Sequence, residues 1–354
     1  MRVEIVLSAR RVIKISAAVL GCIIAFMVIL ETVLLICDKI TVCPFLFDKR
    51  YNLYRSKPGS LDYSFKINSQ GFKDIEFSEK KASGIYRIVA VGDSNAFGTV
   101  PYKYNFLTIL GELLKKKDGK CELYNLGTPC IGPHDYLSLI VHEGIKYDPD
   151  LVLVCLTIED DLSSRKWYTR IMTASLFKSL YDAFKGYEGV VVHGPRIYND
   201  SEPAFTGPGF LAYTTSKIDV FNKNNPRIKK KFDDTLYYLE RIGEVCAKKN
   251  IELVVVFLTA EIQINEELQK SVLRGFGTGK GDYDFLYPDR IFGEGLGKRG
   301  IKHIDIYPDF SRAAAGGARL FIPRNVHYNI AGNRLAGEVI SRELSGIIKK
   351  HNHR

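Results

Sequence analysis

Five apolar runs of strand length, separated by helical patterns, limit what this chain can fold into. They read "YRIVAV" (86–91), "CELYNL" (121–126), "LVLVCLT" (151–157), "IELVVVFL" (251–258) and "IKHIDIY" (301–307). Several are apolar at consecutive positions instead of alternating, as strands covered on both faces should be. Between and after them, Phe232, Leu236, Leu239, Ile242 and Cys246 recur at three- and four-residue steps, and Asn329 to Lys349 repeats the pattern with Ile330, Leu335, Val339, Ile340 and Leu344. Both are amphipathic helices. Strand, helix, strand order implies right-handed crossovers and a doubly wound α/β layer structure around a mainly parallel five-stranded sheet. Ligands in such folds gather outside the carboxyl ends of the strands.

A second feature lies upstream. From Ile15 to Cys37 the chain reads "ISAAVLGCIIAFMVILETVLLIC", 23 residues with Glu31 as the only charge. As a helix at about 1.5 Å per residue this run is about 34 Å long, enough to span a bilayer. It is too long for a typical signal-peptide core and no small-x-small cleavage site follows it, so it reads as a retained anchor. Arg2, Arg10, Arg11 and Lys14 precede it. The positive-inside rule then places the N-terminus in the cytoplasm and the main domain outside it. Glu31 lies in the outer part of the run, where its carboxylate can snorkel.

The expected organisation is a cytoplasmic N-terminus (1–14), an anchor (15–37), a stalk or N-terminal extension (38–85) and an α/β domain (86–350). Residues 162–226 interrupt that domain with aromatics, glycines and prolines, including "KWYTR" and "HGPRIYND". So long an insertion reads as a lid or substrate-binding segment. The formal charge is +10, from 50 Lys and Arg against 40 Asp and Glu. No zinc-finger, RNP-type or helix-turn-helix pattern accompanies it, so nucleic acid is not an expected partner and acidic glycans or lipid headgroups fit the charge as well. The seven cysteines show no CxxC and no metal-ligand spacing, and neither metal nor cofactor is implied.

The first strand runs into "GDSNAFG", which puts Ser94 at the carboxyl end of a parallel strand, where the next helix can aim backbone N–H groups at it. Ser94 is a candidate nucleophile, and a nucleophilic serine needs a base. Of the seven histidines, His327 stands in "IPRNVHYNIAGN", after the last strand region and before the final helix, and is therefore expected at the same edge.

Taken together, "INSQGF", "YRIVAVGDSNAFG", "YNLGTPCIGPHDYL", "YDPDLVLVCLTIEDDL" and "NVHYNIAGNRLA" resemble, in that order, the SGNH/GDSL hydrolase superfamily, in particular its membrane-anchored bacterial members linked to surface-glycan acylation. The resemblance covers about residues 65 to 345. It implies a three-layer α/β/α sandwich in which Ser94 attacks an ester carbonyl and His327 takes its proton. It also implies an oxyanion site made by the Ser94 N–H, a second-block glycine and a third-block asparagine.

Three positions depart from that pattern. The second-block glycine falls on Cys130, flanked by Gly127 and Gly132, which keeps a backbone N–H but loses freedom at positive φ. The third-block asparagine is Asp160, so either Asp160 is protonated by burial or this donor is missing. The positions where the orienting acid would stand hold Arg324 and Asn325. Asn325 can hold the imidazole without stabilising an imidazolium by charge, and Asp160 or Asp161 is the acid that would reach His327 instead. Asp93 and Asn95, flanking the nucleophile, join Cys130 and Asp160 as oxyanion or substrate-binding candidates. The resulting expectation is a serine esterase or O-acyl(acetyl)transferase acting on a surface glycan from the outer face of a bacterial inner membrane. The alternative is a catalytically degenerate domain that binds glycan or partners a membrane-bound O-acyltransferase.

Overall fold

A computed structural model describes residues 9–40, 45–48, 53–159, 161–162, 197–274 and 280–352. By its contacts the chain divides into two units, one of residues 1–43 with 165–188 and one of 44–164 with 189–354. The first contains a single described helix, α1 (Ala9–Ile40), which covers the apolar run. Val19, Leu20, Ile24 and Phe26 are each more than half exposed on it. Side chains are described only as far as Thr32, and among the described residues no helix is long and apolar enough to cross a membrane.

The second unit opens with two hairpins, β1 (Phe45–Asp48) with β2 (Leu53–Ser56), and β3 (Leu61–Asp62) with β4 (Phe65–Lys66). The layered part follows as β5 (Tyr86–Gly92), α2 (Ser94–Phe97), α3 (Phe106–Asp118), β6 (Cys121–Asn125), α4 (Pro133–His142) and β7 (Leu151–Thr157). After the insertion come α5 (Gly207–Lys217), α6 (Pro226–Lys248), β8 (Glu252–Leu258), α7 (Glu261–Ile264), α8 (Glu266–Leu273) and α9 (Tyr287–Lys298). The chain closes with β9 (Lys302–Asp305), α10 (Tyr307–Ala315) and α11 (Ile330–Asn352).

All five expected strands form one parallel sheet in the order β6-β5-β7-β8-β9. Every residue of β5 and β7 is buried, which accounts for their unbroken apolar sequence. Successive side chains serve opposite faces. Val89, Val91, Val152 and Val154 pack with α4, α6 and α9, while Ile88, Ala90, Leu151 and Leu153 pack with α3 and α11. The chain passes from β5 outward to β6 and then returns to β7 on the other side, so the switch point of the sheet lies at the carboxyl end of β5.

Residues 56–85, expected as a stalk, are instead built into the domain. Ile67, Phe72 and Phe77 are buried, and so are Asp62, Asn68, Lys73 and Asp74. The reason is polar pairing. Asn68 Oδ1 accepts the N–H groups of Gln70 and Phe72 (3.1 and 2.8 Å) and closes the turn of "INSQGFKD". Asp74 then reaches the end of β6, accepting the N–H of Asn125 at 2.7 Å and the hydroxyl of Tyr102 at 2.8 Å. The later part of the insertion also joins the core, through Phe210, Ile218, Val220 and Phe221.

Burial pushes the Asp74 carboxyl up to about 6, outweighing the hydrogen bonds it accepts. Its folded value lies above its ordinary value of 3.8, so its contribution to stability is complete below 3.8 and is lost as pH rises to about 6. The melting-temperature gap between the wild type and Asp74→Asn should therefore narrow from about pH 4 to about pH 6 and stay level above it; a gap that widens with pH would contradict this.

Candidate active site

The nucleophile turn begins with a close approach. A Cβ on Gly92 would lie 2.6 Å from the Ala96 Cβ and 3.0 Å from the Cys155 Cβ, so only glycine lets α2 fold back over the strand end. Asp93 caps the turn, accepting the Asn95 N–H at 2.8 Å and the Thr157 hydroxyl at 2.9 Å. Asn95 Nδ2 donates to the same Thr157 oxygen at 3.2 Å. Asp93 and Asn95 are buried and line no part of the cavity that contains Ser94. They join the ends of β5 and β7.

One turn of helix leaves its carbonyls without intrahelical partners. Here Asn105 Nδ2 donates to the Ala96 and Phe97 carbonyls at 2.9 and 3.0 Å, and Asn125 Nδ2 to that of Ala96 at 2.8 Å. Lys73 Nζ donates to the carbonyls of Gly98 (2.7 Å) and Val100 (2.6 Å) and pairs with Asp62 at 2.5 Å. The N-terminal segment therefore holds the far end of the nucleophile turn. Gly127 lets the loop after β6 close on the same turn, because a Cβ there would lie 2.5 Å from the Ala96 carbonyl carbon and the Phe97 nitrogen.

His327 arrives from the loop before α11, where Phe321 bridges Tyr328 and the Ile322 N–H donates to the His327 carbonyl at 3.0 Å. Its Nε2 lies 2.8 Å from Ser94 Oγ and its Nδ1 lies 2.7 Å from Asn325 Oδ1. The same Oδ1 accepts the His327 backbone N–H at 3.3 Å, and since that group can only donate, the atom facing the ring is the amide oxygen. Nδ1 therefore carries the proton, and Nε2 is left as the acceptor for the serine hydroxyl. That is the geometry of a general base on a nucleophile.

The group at His327 Nδ1 is Asn325, and Asp161 has other partners. Its carboxylate accepts the Tyr136 hydroxyl at 2.8 Å and the Thr157 N–H at 2.7 Å, which ties α4 to the end of β7. Asp160, Trp167, Tyr168, Arg170 and His193 lie outside the described residues. Cys130 is exposed and sits at φ 61°, the left-handed region that the resemblance gave to glycine; Pro129, next to it, lines the cavity. Among the described residues no three His, Cys, Asp or Glu side chains converge as a metal site requires.

Ser94, Asn325 and His327 open into a cavity of about 670 Å³. Its walls include Tyr63 from the β3–β4 turn, Phe97, and Tyr198, Asn199, Glu202 and Phe205 from the insertion. None of these wall residues was singled out from the sequence. Tyr63 belongs to a segment read as a stalk, and aromatics in a long insertion carry no periodic signal.

No family model matches the chain, and no curated protein sequence matches it. Among solved structures it is similar to an acetyl xylan esterase at 15% identity and a TM-score of 0.42, over 72% of this chain and 97% of that one. It is also similar to a G-D-S-L family lipolytic protein from Desulfitobacterium hafniense (13%, TM-score 0.39, 72% and 98%). A third is a catalytic mutant of an acetylxylan esterase from Geobacillus stearothermophilus (13%, TM-score 0.43, 75% and 96%).

Two substitutions probe the site. Asn325→Asp places a charge beside Nδ1, so turnover of a small ester should rise at least about tenfold and the acid limb of the pH profile should move to higher pH; in a serine protease the reverse change costs about 10⁴. An unchanged profile would mean that Asn325 does not act through the ring. Cys130→Gly relieves a left-handed conformation and should stabilise the fold by about 1 kcal/mol in urea unfolding.

Proposed function

We propose that this protein is a membrane-anchored serine enzyme of the SGNH type that moves an acyl group, in the leading case acetyl, from or onto a cell-surface glycan. The observation that carries the reading is the relay from Ser94 Oγ through His327 Nε2 and Nδ1 to Asn325 Oδ1, with contacts of 2.8 and 2.7 Å, facing a cavity.

In the proposed reaction Ser94 Oγ attacks the ester carbonyl carbon while its proton passes to His327 Nε2. The carbonyl oxygen takes the negative charge, and the Ser94 N–H at the start of α2 is the donor that the resemblance implies for it. Collapse of the tetrahedral species breaks the bond to the leaving alkoxide, which takes the proton from His327. Water or a sugar hydroxyl then attacks the acyl-serine with His327 again as base, giving hydrolysis or transfer. Asn325 holds the tautomer throughout but adds no negative charge beside the imidazolium, so the relay is weaker than one with a carboxylate.

Anchoring is supported by the apolar run of α1, its exposed hydrophobic side chains, and the arginines and lysine before it. In this reading the N-terminus is cytoplasmic and the α/β unit is extracytoplasmic in a bacterial inner membrane. A membrane-bound O-acyltransferase that supplies the acyl group is the partner such a placement would allow.

Detergent-solubilised full-length protein should be labelled by a fluorophosphonate and should hydrolyse p-nitrophenyl acetate, with both activities lost in Ser94→Ala and in His327→Ala. Absence of serine-dependent labelling would instead favour a glycan-binding domain without turnover.

A further inference from the structure

The cavity is far larger than an acetyl group needs, and about 300 to 1,000 Å³ is the usual range for a whole small ligand. What fills the space beyond the nucleophile follows from the other lining residues. Two aromatic rings of the lining meet from distant parts of the chain, Tyr63 and Tyr198, edge to face with centroids 5.6 Å apart. Asn199 and Glu202 line the same cavity. Aromatic rings with an amide and a carboxylate in one cavity suit a ring that has apolar C–H faces and hydroxyl groups at its edge.

Both tyrosines are held in place. Tyr63 and Ser64 form the two-residue turn between Asp62 and Phe65, at φ 45° and 69°. Such turns favour Asn-Gly, and a bulky residue at positive φ is an outlier that persists where surrounding structure enforces it. The enforcing contacts are visible: Asp62, the preceding residue, pairs with Lys73, whose ammonium lies 5.5 Å from the Tyr63 ring centroid and 5.1 Å from that of Phe97. Tyr198 donates its hydroxyl to Asp200 Oδ1, and that oxygen also accepts the Ile330 N–H at 3.1 Å, three residues beyond His327. One ring is tethered to the nucleophile turn and the other to the loop that carries the base.

We propose that Tyr63 and Tyr198 form the subsite for the alcohol portion of the ester, a ring-shaped polyol, and that Tyr63 is the specificity-determining residue. This rests on the reading of Ser94 as the nucleophile of acyl transfer.

The test compares two acetyl esters on the full-length protein: vinyl acetate, whose alcohol portion has no ring, and acetylated xylotetraose. Glycine adopts positive φ without strain, so Tyr63→Gly keeps the turn and removes the ring. Its loss of kcat/KM should be at least about tenfold greater on the sugar ester than on vinyl acetate and should lie mainly in KM. Tyr63→Phe, which keeps the ring, should remain nearest to the wild type. Equal losses on the two esters, or no loss on the sugar ester, would overturn the proposal. If the wild type turns over neither ester, the catalytic reading fails, and calorimetric titration of acetylated xylotetraose into Ser94→Ala decides the subsite by itself. Weaker binding in Ser94→Ala/Tyr63→Gly upholds it, and equal binding or none in both overturns it.

Discussion

The site depends on a hydrogen bond between two strand ends, from the Thr157 hydroxyl to the Asp93 carboxylate at 2.9 Å. β5 and β7 are neighbours in the sheet and diverge in sequence there, so the crevice at their carboxyl ends is open. Asp93 and Asn95 both close on the Thr157 oxygen, and Asp161 holds the Thr157 backbone. Ser94 is therefore fixed by the sheet and not by its own short helix. In a dry interior such a chain of donors and acceptors is costly to leave incomplete, which makes the turn rigid.

The relay built on this turn is neutral along its length. Asn325 selects the proton position on His327 through the same oxygen that accepts a backbone N–H, so its orientation is set by covalent geometry close at hand. What an amide cannot provide is opposite charge when the ring becomes an imidazolium. In the proposed reaction more of the barrier is then lowered by substrate placement, and the size and aromatic lining of the cavity fit that division of labour.

The layered fold was legible because its evidence is apolar periodicity. Strands buried on both faces leave unbroken apolar runs, and α6 and α11 leave three- and four-residue steps; the five sheet strands and these two helices fall on their expected runs. Ser94 and His327 were legible because topology sends a first strand and a last helix to one edge. The roles of Asp93, Asn95 and Asp161 were not, since each is decided by a partner on another element: Asp93 and Asn95 by Thr157, Asp161 by Tyr136. The segment 56–77 was misread for a related reason. Its buried groups are Asn68, Lys73 and Asp74, and polar residues that go inside to cap turns and carbonyls look like surface in a sequence.

Lys73 also sets where the chain can be severed. A cut that leaves the "INSQGFKD" segment and its hairpin in place falls upstream of Ser56. A cut between Phe77 and Tyr86 spares every strand of the sheet, yet it removes the ammonium from the carbonyls of Gly98 and Val100 and the Tyr63 ring from the cavity. A cut at the first place keeps Lys73 on the carbonyls of Gly98 and Val100 and Tyr63 in the cavity wall. A cut at the second leaves the layered part with a nucleophile turn that has lost its far support.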